Sequence, residues 1–270
     1  MLINYNSLNK HMKHYLNPYD ATITLVYVLF LFSIYVMWTN NELQWLLIMP
    51  FYGMINHFIF SLNHRMIAHR SFKARNKFVH NAIIFLNVFQ VSHGPMRFAM
   101  FHRHHHAYAD VPGKDIHGPT LGFWESVIGW EYNLEKKFNK LKIKIPRDLI
   151  RDPFLIWMDR HFYKVLIIIS IIIYLIHWKA FWYIMVPGTV WFKISAGYFG
   201  NYHTSYFGYT NYNLGNDTAK NSILANIFTC GEGWHNNHHA SPSSWKYGQQ
   251  WWEWDPPQWL IKNFLIKNNE

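Results

Sequence analysis

Cysteine is almost absent from this sequence: Cys230 is the single one among 270 residues. One thiol cannot form an internal disulfide, and it cannot supply the thiolates of a cysteine-based zinc or iron–sulfur site. Acidic residues are also few, since 15 Asp and Glu stand against 25 Lys and Arg and give a formal net charge of +10. A basic balance is typical of chains that meet nucleic acid, a membrane surface or an acidic substrate. Because 50% of the residues are apolar, a disordered chain is excluded.

Two long stretches near the N-terminus carry no charge. Residues 21–38 and 43–62 contain no Asp, Glu, Lys or Arg. At a rise of about 1.5 Å per residue, each can cross a hydrocarbon core about 30 Å thick. We predict membrane-spanning helices over 21–39 and 43–62, joined as a hairpin. The alternative is a pair of buried helices in a soluble domain.

A second hairpin is predicted over residues 162–178 and 180–199, with its turn at Lys179. The first of these spans is apolar but short, and flanking aromatic residues would complete it at the membrane interface. The stretch 78–101 is ambiguous, because its apolar residues are interrupted by polar ones such as His80, Asn87 and Arg97. Hydropathy alone therefore leaves open whether this stretch crosses the membrane.

Basic residues accumulate on one predicted side of the membrane. Lys179 is the only basic residue in the two short hairpin turns, whereas residues 63–77 contain Arg65, Arg70, Lys73, Arg75 and Lys77. Such a bias predicts that both termini and the middle of the chain face the cytoplasm. We assign the five basic residues to topology and to contact with phospholipid head groups, with recognition of a substrate head group as the alternative.

Histidine is abundant, with 18 residues, and eight of them stand in three clusters. The clusters are His64-Arg-Met-Ile-Ala-His69, His102-Arg-His-His105-His106 and His235-Asn-Asn-His238-His239. The last two share the spacing His-x-x-His-His, which places three imidazoles on one helix face, toward one metal ion or an adjacent pair. The first has an offset of five, so we expect its histidines to reach different metal ions, or the helix to end between them. The alternative is that each cluster is only a polar helix face near the bilayer.

Eight imidazoles exceed the four ligands of one zinc ion, and imidazole suits iron, copper, zinc and nickel. We therefore predict two metal ions, assigned as iron, with dizinc and dicopper centres as alternatives. The clusters can meet only on one side of the membrane, so 78–101 is predicted to be interfacial and the metal site cytoplasmic. The predicted ligands are His64, His69, His102, His105, His106, His235, His238 and His239.

The motifs around these histidines resemble those of the membrane fatty-acid desaturases, in particular the Δ9 or stearoyl-CoA desaturase-like group. The matching segments are HRMIAHRSFKA at 64–74, His-Arg-x-His-His at 102–106, GEGWHNNHH at 231–239 and WWEWDP at 251–256. The resemblance covers most of the chain. It implies a single domain over 1–270, an all-α integral membrane protein in which four membrane helices in two hairpins carry a cytoplasmic helical cap with a di-metal site.

The resemblance also implies a function. It is the oxygen-dependent insertion of a cis double bond, at Δ9, into a long-chain acyl group by a histidine-ligated di-iron centre. The chain has no flavin or NAD fingerprint, so electrons are expected from a ferredoxin or a separate cytochrome b5 that docks on the basic face. We expect no nucleic-acid partner. The alternatives are a related di-iron hydroxylase or ketolase and a non-catalytic zinc-binding membrane receptor.

Two departures from the family pattern bear on the site. The family usually has Asn-x-x-x-His after the fourth span; here Asn201 takes the Asn position, implying a metal contact through water, but Ser205 takes the His position. His203 is the candidate replacement, and the alternative is that a ninth ligand is absent. The residues where basic contacts to CoA are usual also differ, which leaves acyl-CoA and acyl-lipid substrates open.

Three residues that follow the His102–His106 motif have a further candidate role. Asp110, Asp115 and His117 follow it closely in the sequence. Carboxylates and imidazoles commonly hydrogen-bond the ring nitrogen of a ligand histidine that faces away from the metal. We expect such a role here, with helix capping as the alternative.

Overall fold

The computed structural model describes residues 5–91 and 94–266. Within these ranges the chain forms helices and no β-strand, and the extended pairing is confined to two isolated bridges, Tyr209–Asn221 and Asn221–Trp234. The predicted all-α class is therefore confirmed for the described residues. In chain order the α-helices are α1 (Tyr5–Thr39), α2 (Met49–Asn63), α3 (Lys77–Leu86), α4 (Pro95–Ala107), α5 (Phe123–Val127), α6 (Leu134–Leu141), α7 (Pro153–Ile176), α8 (Val186–Ser195), α9 (Thr204–Tyr206), α10 (Ile223–Thr229), α11 (His235–Ala240) and α12 (Pro256–Leu260).

Several helices continue into turns of different pitch. A 3₁₀ segment, Leu43–Ile48, precedes α2, and a π-helical segment, His64–Ala68, follows it. π-helical segments also flank α8, at Ala180–Met185 and Ala196–His203, and Ile261–Leu265 follows α12. The remaining 3₁₀ segments are Asn87–Gln90, Pro119–Leu121, Gly129–Glu131 and Leu149–Arg151.

The first two predicted spans correspond to two long apolar helices. Asp20–Thr39 and Leu43–Ala68 are each long and apolar enough to cross a membrane. The turn between them is joined to the turn after α7, because Lys179 Nζ and Tyr183 Oη both donate to the carboxylate of Glu42, at 2.6 and 2.7 Å.

The second predicted hairpin corresponds to α7 and to the helical run through α8. α7 begins where the Asp152 carboxylate accepts hydrogen bonds from the backbone N–H groups of Phe154 and Leu155, an N-cap with proline at the first helical position. The run through α8 packs closely on α2: a Cβ at Gly188 would lie 2.3 Å from the Tyr52 ring. Among the described residues only the first pair combines sufficient length, high hydropathy and few charges, so the crossing of this second pair stays a prediction.

The ambiguous stretch 78–101 is broken rather than continuous. α3 ends at Leu86, a 3₁₀ turn leads to Val91 in the left-handed conformation with φ 46°, and α4 begins at Pro95. Residues 92 and 93 lie outside the described ranges. At about 1.5 Å per residue, α3 spans about 15 Å and α4 about 20 Å, each less than a bilayer core. This break accords with the predicted interfacial placement.

One of the five basic residues assigned to head groups is buried. Arg65 has no exposed surface; its Nη1 lies 2.9 Å from the Asp255 carboxylate and its guanidinium stacks 3.9 Å above the Tyr247 ring. The head-group prediction is therefore wrong for Arg65, which instead fixes the C-terminal segment against the end of α2. Arg70 and Lys73 are exposed, as that prediction requires.

Candidate metal centre

Five of the eight predicted ligands form one group of facing imidazoles, which we call the first cluster. Their nearest Nε2 atoms lie close together: 2.6 Å separates His64 from His102, 2.8 Å separates His102 from His69, and 2.9 Å separates His106 from His238. One ring nitrogen of each lies within 4.8 Å of one ring nitrogen of every other. The members of the first cluster are His64, His69, His102, His106 and His238.

The local helix geometry brings His64 and His69 to the same cluster. The segment between them is π-helical, and the backbone N–H of His69 donates to the carbonyl of His64 at 3.1 Å. A turn that closes over five residues puts an offset of five on one face. Of the two alternatives expected for this pair, the helix end is found, because the helical segment ends at Ala68, just before His69. Both rings nevertheless lie in one cluster rather than at separate sites. Arg103 supports this turn by donating to the carbonyls of Ile67 and Ala68.

The other three predicted ligands, His105, His235 and His239, form the second cluster. His235 and His239 stand one turn apart on α11, with ring centroids 4.3 Å apart. The His106 and His239 rings are also 4.3 Å apart, so the two clusters adjoin. Each His-x-x-His-His motif is thus divided between the clusters, as an adjacent pair of sites requires.

The short helix α11 is held in place by the two asparagines inside its motif. The side chain of Asn236 accepts hydrogen bonds from the backbone N–H groups of Asn211 and Tyr212 at 2.8 Å. Asn237 donates to the Tyr247 carbonyl and to the Glu253 carboxylate, also at 2.8 Å. These buried contacts fix a six-residue helix that could not hold three imidazoles in register by its own hydrogen bonds.

Three carboxylates, of which those of Glu232 and Asp115 are buried and that of Asp217 is partly exposed, orient the ligand rings from outside. The Nδ1 of His64 donates to Glu232 at 2.6 Å, that of His105 to Asp115 at 2.9 Å, and that of His239 to Asp217 at 2.6 Å. Each bond places the proton on Nδ1 and leaves a lone pair on Nε2. The expected role of Asp115 as such a partner is confirmed.

The other two carboxylates were missed in the sequence. Glu232 stands just before the His235–His239 motif, in Gly-Glu-Gly-Trp, but the sequence indicated no partner for it. Asp217 lies in a polar loop without any local signal. The prediction is wrong for Asp110, whose carboxylate accepts from the backbone N–H and the hydroxyl of Thr218 and joins two loops.

The electrostatics favour neutral imidazoles beside ionised carboxylates. Burial, followed by the neighbouring imidazoles, lowers the pKa of His102 and His238 well below the ordinary value of 6.5. For Glu232, burial favours the neutral acid, but His64 and Arg65 outweigh it and lower the pKa to about 2. These are the protonation states that bind a metal cation.

The side chains present fit metal ions. Nε2 atoms separated by 2.6–3.1 Å match the spacing of about 3 Å between nitrogens at right angles around one ion with metal–nitrogen bonds of about 2.1 Å. Converging lone pairs repel one another unless a cation lies between them. In the second cluster, the buried Nε2 atoms of His105 and His239 have no protein partner, so both are available as ligands.

The two additional predicted ligands lie differently. His203 belongs to neither cluster; its Nε2 is 3.0 Å from the Ser222 hydroxyl. Asn201 donates to the Ser126 carbonyl at 3.3 Å, and it lines a small cavity together with His235 and Ser205. The structure thus brings Asn201 beside the second cluster and does not bring His203 to it.

An apolar cavity borders the first cluster. Phe60, Phe98, Phe101 and Phe192 line it, and His64, His102 and His235 are exposed to it. His57 and His64 both line it from the helix that contains α2, so it extends about 10 Å along that axis. Lys193 and Glu131, paired at 2.9 Å, line the same cavity.

The chain thus combines apolar helices of membrane-spanning length with two adjoining histidine clusters that could hold metal ions. A model of the fatty acid desaturase family matches residues 13–266. The chain is 32% identical over 208 residues to an sn-2 palmitoyl-lipid 9-desaturase of Nostoc sp. (strain 36), which covers 74% of this chain and 70% of that protein.

Two other relatives have similar identities. An sn-1 stearoyl-lipid 9-desaturase of Anabaena variabilis is 31% identical over 197 residues, covering 71% of this chain and 69% of that protein. An acyl-CoA C20 Delta5-desaturase of Anemone leveillei is 29% identical over 202 residues, covering 74% and 63%. The chain belongs to the fatty acid desaturase family. It is therefore a fatty acid desaturase, an oxidoreductase of lipid metabolism.

Proposed function

We propose that this protein inserts a cis double bond, at Δ9, into a long-chain acyl group at the expense of molecular oxygen, with two iron ions as cofactor. The observation that carries the proposal is the apolar cavity against which the histidine clusters stand. Relatives named as acyl-lipid and as acyl-CoA desaturases both match the chain, so either carrier is compatible with it.

The substrate chemistry requires an oxidising metal centre. Chain methylenes have no acidic proton, so a general base cannot start the reaction. Two bound irons would supply the power to activate oxygen and remove two hydrogen atoms. His64, His69, His102, His106 and His238 would hold one iron, and His105, His235 and His239 would hold the other.

The protein side chains perform the remaining tasks. Phe60, Phe98 and Phe101 exclude water and confine an acyl chain beside the clusters, which fixes the carbons that react. Glu232, Asp115 and Asp217 hold the tautomer and the orientation of three ligand rings.

The placement in the membrane and the partners complete the proposal. We place four crossings at 21–39, 43–62, 162–178 and 180–199 of a single domain, with 78–101 interfacial and both termini and the clusters cytoplasmic. The exposed Arg70 and Lys73 would then lie beside the clusters and attract an acidic ferredoxin or cytochrome b5.

Expression in a desaturase-deficient host, with fatty-acid mass spectrometry that localises the double bond, tests the function. We expect a new cis-monoene from the intact protein and none from the His238→Ala variant. A new hydroxyl or keto group would indicate the related hydroxylase or ketolase instead. Purified protein that contains zinc and no iron, and yields no product, would indicate the receptor alternative.

A further inference from the structure

His117 is a buried imidazole that the proposed ligand set does not use. Its exposed fraction is 5%, and neither of its ring nitrogens has a hydrogen-bond partner in the protein. Leaving a buried polar group unsatisfied costs about 1–3 kcal/mol, so native proteins pair nearly all of them. The ring therefore needs a partner that the polypeptide does not supply.

The position of His117 is set by the same carboxylate that orients a ligand of the second cluster. Asp115 accepts from the Nδ1 of His105 and, at 3.1 Å, from the backbone N–H of His117. The rings of His105 and His117 have centroids 4.0 Å apart, and donor atoms of the three residues lie within 4.8 Å of one another. His105 thus belongs both to the second cluster and to this group.

The second cluster has fewer ligands than the first and has space beside it. It contains three imidazoles, whereas the first contains five. His105, His235 and His239 line a small cavity whose wall also includes His117 and Ser205. The hydroxyl of Ser205 donates to the Asn201 carbonyl at 2.7 Å.

We propose that His117 is a fourth imidazole ligand of the metal ion in the second cluster. The proposal rests on the two-metal function above and completes its ligand set. His203 is engaged by Ser222 outside both clusters, whereas His117 faces the cavity of the second cluster with both nitrogens unpartnered. A fourth nitrogen would give this ion the minimum coordination that imidazole sites usually have.

The competing role for His117 is packing, because its ring also lies against Phe101 and Trp130, with centroids 5.6 and 5.4 Å away. His117→Phe separates the roles, since it keeps an aromatic ring and removes both nitrogens. His117→Ala removes the aromatic ring as well as the nitrogens. Two matched controls keep the clusters intact. They are His203→Ala and His104→Ala, the latter at the x position of the His-Arg-x-His-His motif, where Nε2 is bonded to the Lys114 carbonyl.

The readout is metal binding by purified, detergent-solubilised protein, measured as iron per chain and as Co²⁺ affinity after metal removal. We expect two irons in the wild type and in both controls, and one in His117→Phe and His117→Ala. In each His117 variant, the weaker of the two Co²⁺ sites should lose affinity at least about 100-fold. This is the upper end of the loss that follows removal of a residue that only hydrogen-bonds a metal ligand.

Three outcomes would overturn the proposal. Two irons and unchanged Co²⁺ affinity in His117→Phe would make the ring a packing element. Loss of the second iron in His203→Ala, with retention in His117→Phe, would assign the ligand to His203. A wild-type protein that desaturates lipids with a single iron would contradict this ligand assignment while leaving the reaction class intact.

Discussion

Glu232 is the carboxylate that orients His64 in the first cluster. It is 7% exposed and accepts hydrogen bonds from His64 and, at 2.5 Å, from the Ser61 hydroxyl. Because its pKa is about 2, it stays ionised throughout the physiological range. A charged acceptor on Nδ1 raises the basicity of the ring and fixes its tautomer.

The Glu232→Gln variant keeps the shape of this side chain and removes its charge. We expect desaturation and first-cluster iron affinity to fall roughly 10- to 100-fold, the usual effect of losing such a partner. Product analysis and iron per chain measure this. Glu125→Gln, which breaks a pair with Lys137 at 40% side-chain exposure, is the matched control and should leave both quantities unchanged. Equal effects of the two substitutions would contradict the orienting role.

The imidazoles also predict a pH dependence of the metal-free protein. Burial and neighbouring histidines lower the pKa of His69, His102, His106, His238 and His239 well below 6.5, whereas in the unfolded chain each titrates near 6.5. Below pH 6.5 the unfolded state therefore binds more protons than the folded state, and stability falls as the pH falls, by up to about 1.4 kcal/mol per pH unit for each ring.

Thermal unfolding in detergent at pH 7.5, 6.5 and 5.5 measures this dependence. We expect the unfolding temperature of the metal-free protein to decline below pH 6.5. The decline should be shallower in His238→Ala, which removes one titrating ring, and unchanged in His104→Ala. An unfolding temperature that stays constant or rises toward pH 5.5 would show that the rings are not held neutral in the fold.

Among the helices, the features predicted correctly from the sequence are those that follow from regular helical spacing and apolar composition. Offsets of three and four brought His235 and His239 onto one face of α11, and apolar composition located the first two long helices. The shared cluster of His64 and His69 was not predictable, because the pitch of the turn between them depends on tertiary contacts such as those of Arg103. Asp217 was missed for a similar reason, since only folding brings its loop to His239.

The ion pair between α8 and the 3₁₀ segment before α6 leads to a prediction about the cavity. Lys193 and Glu131 have side chains 1% and 6% exposed, and Lys193 also donates to the Val91 carbonyl at 3.2 Å. Val91 borders a second apolar cavity, between α1, α7 and α8. Under the proposed function, the pair would lie between the first cavity and the second on the path of a long acyl chain.

Lys193→Met alone should destabilise the protein by about 3–5 kcal/mol, because it removes the cation from a buried carboxylate. Lys193→Met combined with Glu131→Leu should recover much of that loss and open the cavity to longer chains. Each further buried methylene contributes about 0.8 kcal/mol, so preference should rise roughly fourfold per methylene accommodated. Thermal unfolding and the chain lengths of the products measure the two effects; an unchanged product profile in a stable double variant would show that the pair does not limit the cavity.

At the scale of the whole molecule, the fold accounts for why distant sequence segments form one site. The end of α2, α4 and α11 meet where the eight histidines converge, and Arg65 locks the C-terminal segment there through Asp255. The short, interrupted helices between Lys77 and Ala107 allow the chain to return to the same end of α2. A continuous crossing between His69 and His102 would have separated the clusters by the thickness of the bilayer.

The proposed topology can be tested by single cysteines, because the native Cys230 is buried and gives little background. Asn40→Cys and His177→Cys place thiols at the two hairpin turns, whereas Lys73→Cys and Lys246→Cys place them near the clusters. All four positions are exposed at the surface of the chain. In sealed inside-out vesicles, a membrane-impermeant maleimide should label the Lys73 and Lys246 variants at once and the other two only after permeabilisation. Labelling of Asn40→Cys together with Lys73→Cys would mean that α2 does not cross. Labelling of His177→Cys with Lys246→Cys would remove the second hairpin from the membrane while leaving the histidine clusters, and the chemistry assigned to them, in place.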